Sequence, residues 1–156
     1  MEPIPTLSGL GAVLSLLAAV LILSLPRRLA MVPILAAVCF LPIGQALEVA
    51  GLHFYLFRLV LLASLVRIVI RGEAGAIRRC RLDTMVLWWL GAFLVFTNIS
   101  HPGWASFVTL TGILFDQLGS YIVARSLLRD RKDFLLQLRF LAIMIIPLAI
   151  AMMFEK

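Results

Sequence analysis

Residues 112–125, GILFDQLGSYIVAR, place one aspartate, Asp116, in the middle of a long apolar segment. An ionised carboxylate in hydrocarbon is costly unless a partner neutralises it. Asp116 precedes the basic residue Arg125 by nine positions, which corresponds to about 13 Å along a helix. We therefore expect Asp116 to lie deep in a membrane, with a cationic partner at the same depth.

Composition places the whole chain in a membrane. Of its 156 residues, 63% are hydrophobic and 14% are charged, whereas a typical soluble domain is about 25% charged. The net charge of +6 comes from basic residues that lie between apolar runs. In that position they act as topology signals, so we predict membrane lipid as a partner and no nucleic acid.

The two cysteines have different surroundings. Cys39 lies in an apolar run, and Cys80 lies in the basic stretch RRCRLD. We therefore expect no disulfide, and in the absence of a CxxC or His/Cys spacing we predict no metal site and no cofactor.

The fold class follows from the length of the apolar runs, because about 20 apolar residues cross a bilayer as a helix. The sequence predicts an all-α polytopic transmembrane bundle of about six spans, without a soluble domain. Pro33 and Pro42 interrupt the second span, which we expect to be kinked or short. The runs lack the alternation of a membrane barrel, so strands are not expected. The predicted spans are residues 7–25, 29–47, 54–70, 84–100, 105–124 and 134–154, in one transmembrane helical domain over residues 1–156.

Basic residues alternate between successive links. The positive-inside rule then places the first, third and fifth links in the cytoplasm and both termini on the other side. The N-terminal segment and the fourth link have no Lys or Arg, and the second link has none before Arg58. The basic side chains are Arg27 and Arg28 in the first link, Arg71, Arg78, Arg79 and Arg81 in the third, and Arg125, Arg129, Arg131 and Lys132 in the fifth.

Arg58 is the predicted partner of Asp116. Arg58 precedes Arg67 by nine residues, just as Asp116 precedes Arg125, and both helices are predicted to run from outside to inside. The two opposite charges should therefore lie at the same depth. The small residues Gly112, Gly119 and Ser120 share the helix face of Asp116 and would allow close approach by a neighbouring helix.

Three interpretations of these two charges stay open. The pair can simply fix which helices are neighbours, or it can line a cavity for a polar or anionic substrate. Alternatively there is no pair, with Arg58 reaching toward the surface and Asp116 protonated.

Other candidate residues are few. His53 and His101 fall in links predicted on the outer side, where each is a solvated loop residue or a base or phosphate ligand. The chain has no GxSxG, Walker or HExxH motif, so no catalytic residue is predicted.

The order of these features resembles the N-terminal half of bacterial O-antigen ligase and O-antigen polymerase-like membrane proteins. The resemblance covers most of the chain. It is carried by LPRRLA after the first span, LPIGQ at the break of the second, FRLVLLASLVRIVIRG in the third, and FDQLGSYIVARSLLRDRKDF in the fifth.

This resemblance implies a part in glycan transfer from an undecaprenyl-pyrophosphate carrier at the periplasmic face of a bacterial inner membrane. A complete member would be a glycosyltransferase of the ligase or polymerase type, working without nucleotide sugar or metal. The family's functional arginines and histidine lie in and near a large periplasmic loop of the second half. None of them is therefore assigned here, and we expect this chain to be a scaffold portion that is inactive alone.

Two other classes fit the same sequence. The chain can be a small transporter or channel subunit, or a non-catalytic scaffold that binds partner helices through its Gly/Ser faces. The expected partners are accordingly an undecaprenyl-linked glycan, other membrane helices or a missing C-terminal half.

Overall fold

The computed structural model describes residues 9–41, 46–49, 52–76, 80–100 and 103–154. The architecture is helical, which confirms the predicted class, with one short antiparallel hairpin in addition. Short 3₁₀ turns, Arg27–Leu29 and Glu73–Ala76, lie in two of the links. The helices are α1 (Gly9–Ser24), α2 (Met31–Phe40), α3 (Leu56–Ile70), α4 (Arg81–Ser100), α5 (Trp104–Leu127) and α6 (Arg131–Phe154), and the strands are β1 (Ala46–Val49) and β2 (Leu52–Tyr55).

Three of the described helices are long and apolar enough to cross a membrane: α4, the Ser106–Leu127 part of α5, and α6. α1 is equally apolar but shorter, with 16 residues. These helices indicate a membrane protein. The prediction of six spans is not confirmed, because α2 and α3 have only 10 and 15 residues.

The second predicted span, residues 29–47, is wrong in its extent. α2 ends at Phe40, and Leu41 takes an extended conformation with ψ of 131°, as a residue before proline does. The hairpin that follows also corrects the expectation of no strands. Its segments Leu47-Glu48-Val49 and Leu52-His53-Phe54 alternate apolar and polar residues, which is the period of a strand rather than a helix.

α3 lies at the centre of the bundle. It packs against α1, α2 and α5, while α2 also contacts α1 and α6, and α4 packs on α5. α4 and α6 leave most of their apolar side chains exposed, as helices that face lipid do. The buried core is apolar and includes Ile22 of α1, Ile34 of α2, Val60, Leu61 and Ile68 of α3, and Val123 and Leu127 of α5.

Arg67 ties the end of α3 to the end of α1. Its side chain is only 1% exposed, and it donates hydrogen bonds to the main-chain oxygens of Leu25, at 2.7 Å, and of Ile22. Such carbonyls at a helix C-terminus have no partner within the helix. The Glu73 carboxylate, 3.2 Å from the guanidinium, neutralises the charge. One buried arginine therefore caps α1 and joins it to the third link.

The fifth link contacts both of the other basic links. Arg129 donates to the main-chain oxygen of Glu73 at 2.8 Å. The Asp133 carboxylate, which is buried, accepts from Arg27 at 3.1 Å and lies 3.4 Å from Arg28. The first, third and fifth links thus share one end of the bundle, as the alternation of basic links predicts.

Replacing Arg67 by methionine should destabilise the bundle strongly. Arg67→Met would leave the Glu73 charge and the α1 carbonyls without their partner, a loss of about 3–5 kcal/mol in the free energy of unfolding. Arg71 is the matched control, because it is exposed and also donates to α1 main-chain oxygens. Arg71→Met should cost about 1 kcal/mol.

Unfolding of the purified variants in detergent micelles, followed by circular dichroism against denaturant, measures both changes. Equal losses for the two variants would contradict the capping role assigned to Arg67.

Candidate functional site: an ion pair between α3 and α5

The structure brings Arg58 and Asp116 together. Nε of Arg58 donates to both carboxylate oxygens of Asp116, at 2.9 and 3.1 Å, and Nη2 donates to Oδ2 at 3.0 Å. The side chains are 15% and 30% exposed. Because two nitrogens of a planar guanidinium engage one carboxylate, the contact fixes orientation as well as distance. The interpretation in which Arg58 and Asp116 form no pair therefore disagrees with the structure.

The two partners occupy different positions in their helices. Arg58 lies in the first turn of α3, whereas Asp116 lies near the middle of α5. Further along, Leu61 of α3 lies against Gly119 of α5. Contacts that advance in the same order on both helices show that α3 and α5 run in the same direction, as predicted.

The predicted packing face of α5 lies against α3. A Cβ atom added at Gly112 would come within 2.8 Å of Cζ of Arg58, and one added at Gly119 within 2.8 Å of Cδ2 of Leu61. Glycine at 112 therefore leaves the space that the guanidinium fills. Ser120, the third predicted member, is half-buried.

Tyr55 completes the surroundings of the pair. Cζ of Arg58 lies 5.0 Å from the centroid of the Tyr55 ring, within the range of a cation–π interaction. Tyr55 ends β2 and precedes α3, with an extended backbone (ψ 140°). The sequence did not predict this contact, because an interaction three residues along the chain depends on the strand-to-helix junction.

Of the two candidate histidines, the structure places only the backbone of His53. His53 lies in β2, where its Cα pairs with that of Glu48, and only the backbone is described there. His101 lies outside the described residues. Among the residues that the structure describes, no group of three or more His, Cys, Asp and Glu side chains could hold a metal ion.

A second polar cluster, which sequence reasoning missed, joins α4 to α5. The Tyr121 hydroxyl donates to the Asp83 carboxylate, and Arg125 lies 3.3 Å from the same carboxylate. The main-chain nitrogen of Cys80 also donates to Asp83, at 2.7 Å. The sequence does contain one signal for this cluster: an aspartate in the first turn of a helix commonly accepts hydrogen bonds from main-chain N–H groups. Cys80 is a free thiol, as is Cys39.

These arrangements direct charged groups of neighbouring helices at one another. The Arg58–Asp116 pair aligns α3 with α5, and the Asp83 cluster aligns α4 with α5. In chemical terms they hold helices in register. Comparison with models of known protein families, with curated proteins and with solved structures gives no match to this chain.

A double-mutant cycle tests the energetic role of the pair. Asp116→Leu or Arg58→Met alone should lower the free energy of unfolding by about 2–4 kcal/mol, because each leaves one charge unpaired in a mostly buried position. The double variant Arg58→Met/Asp116→Leu should recover most of that loss, since no uncompensated charge remains.

Chemical denaturation in detergent micelles measures all three variants. Additive losses in the double variant would show that the two side chains do not interact.

Proposed function

We propose that this chain is a membrane-embedded helical scaffold, the N-terminal portion of an O-antigen ligase-like protein of a bacterial inner membrane. The observation that carries the scaffold role is that charged side chains pair with one another within the bundle. The acidic side chains Glu73, Asp83, Asp116 and Asp133 each neutralise an arginine of another segment of the chain. Charges used in this way hold helices together and leave little for chemistry.

The proposed topology has the first, third and fifth links in the cytoplasm and both termini in the periplasm. It is supported by the common end of the three basic links and by the positive-inside rule. In this arrangement α2 and α3 count among about six membrane segments although each is short. The bundle would place its remaining surface, chiefly α4 and α6, against lipid or against further helices of the same assembly.

The glycan part of the proposal rests on the sequence patterns of the first, third and fifth segments. We place the chain beside an undecaprenyl-pyrophosphate-linked glycan at the periplasmic face, where it would support the transfer without supplying the reacting groups. The alternative transport role finds less support, because the Arg58–Asp116 pair fills the space at Gly112 and its donors are directed at its acceptors.

A photo-crosslinking experiment tests the proposal. An undecaprenyl-pyrophosphate-linked saccharide with a photoreactive group in the lipid chain is added to bacterial membranes that contain the full chain. We expect labelling that excess unlabelled carrier suppresses by about ten-fold, as site-specific binding requires. Arg139→Ala, which changes an exposed arginine, is the control that should label like the wild type.

Labelling no stronger than that of an unrelated membrane protein would overturn the glycan proposal. Gradient-dependent solute flux in vesicles containing the purified chain would instead favour the transporter class.

A further inference from the structure

The Arg58–Asp116 pair lies at a depth where the chain changes from helix to strand. α3 has 15 residues and is about 22 Å long, which is shorter than a hydrocarbon core of about 30 Å. α2, with 10 residues, is about 15 Å long. Both helices have one end at the basic links, so in the proposed topology, on which this inference rests, the hairpin that follows α2 and precedes α3 begins inside the membrane.

The register with α5 gives the same depth independently. Asp116 lies about 18 Å along α5 from Trp104, at 1.5 Å per residue. Since Arg58 meets Asp116, about half of α5 extends beyond the start of α3. The segment that precedes α3 in the chain is the extended hairpin of β1 and β2.

Extended backbone at such a depth needs water or protein around it. In a two-stranded sheet, each strand has one edge that its partner does not cover. The main-chain groups on such an edge are tolerated within a membrane only where they are buried in protein or line a water-filled cavity. Beyond its own two strands, the hairpin contacts mainly α3, into which β2 continues directly.

The side chains at the same place also require water. Asp116 is 30% exposed and Tyr55 is 45% exposed. A carboxylate that faced hydrocarbon with that much of its surface would be costly even when paired. Its exposed part is therefore expected to face water or further protein rather than lipid.

We propose that a water-filled vestibule opens on the membrane side opposite the basic links and reaches the Arg58–Asp116 pair. Its walls are the hairpin edge and the face of α5 that carries Asp116, and its ligands are water and small hydrophilic solutes. The pair forms the floor of the vestibule and separates it from the apolar core around Leu61. This vestibule does not depend on the identity of any glycan.

Thiol accessibility in intact membranes tests the vestibule. Cysteine is introduced at one position at a time into a background with Cys39→Ala and Cys80→Ala. Thr109→Cys places a thiol on the face of Asp116, two turns nearer the start of α5. Phe107→Cys is the matched control, because Phe107 is exposed at almost the same depth on another face of α5.

The probe is a charged, membrane-impermeant methanethiosulfonate applied from the side opposite the basic links. The Thr109→Cys thiol should react at least about ten-fold faster than the Phe107→Cys thiol, because only a hydrated thiol ionises to the reactive thiolate. Tyr55→Cys, close to the pair, should also react faster than Leu118→Cys, which is exposed on α5 near the depth of Asp116.

Equal rates at positions 109 and 107, or reaction at 109 only after detergent is added, would overturn the vestibule. If the Tyr55→Cys variant does not insert into the membrane, the comparison of the Thr109→Cys and Phe107→Cys variants is the deciding test. Because the readout is thiol chemistry, a failed glycan crosslink leaves this result unaffected, and the reverse also holds.

Discussion

The guanidinium of Arg58 meets the carboxylate of Asp116 between α3 and α5, and the surrounding packing follows from this contact. Neither charge is tolerated alone in hydrocarbon, so the two helices must lie side by side and in one register. Gly112 leaves room for the guanidinium, and Gly119, two turns further along α5, receives Leu61. α3 then carries α1 and α2 on its other sides.

The same rule organises the opposite end of the bundle. There the basic links would repel one another if they carried only arginines. Instead Arg27 of the first link meets Asp133 of the fifth, and Glu73 of the third link meets Arg67 at the end of α3. Arginines at this end thus also close the ends of helices. This use of charge supports the proposed scaffold role.

The sequence predicted the features that depend on long segments and on charge balance. The helical class, the direction of α3 and α5, the contact of Arg58 with Asp116, and the close approach at Gly112 follow from span length, equal spacing and small residues. The hairpin was missed because the ends of its two strands were assigned to the second and third predicted spans and residues 48–53 to the link between them, so the alternation across residues 46–55 was not recognised. The roles of Arg67 and Tyr121 were missed because each contacts a distant segment whose position depends on the packing of several helices.

Oxidative crosslinking in native membranes tests the packing of α3 on α5 most directly. In a cysteine-free background, Leu61→Cys paired with Gly119→Cys should form a disulfide, because a Cβ atom at position 119 would lie 3.2 Å from Cγ of Leu61. Leu61→Cys paired with Gly112→Cys should not form one, since Gly112 lies about 10 Å from Gly119, toward the start of α5. A crosslink with Gly112→Cys but not with Gly119→Cys, or with neither, would contradict this register of the two helices.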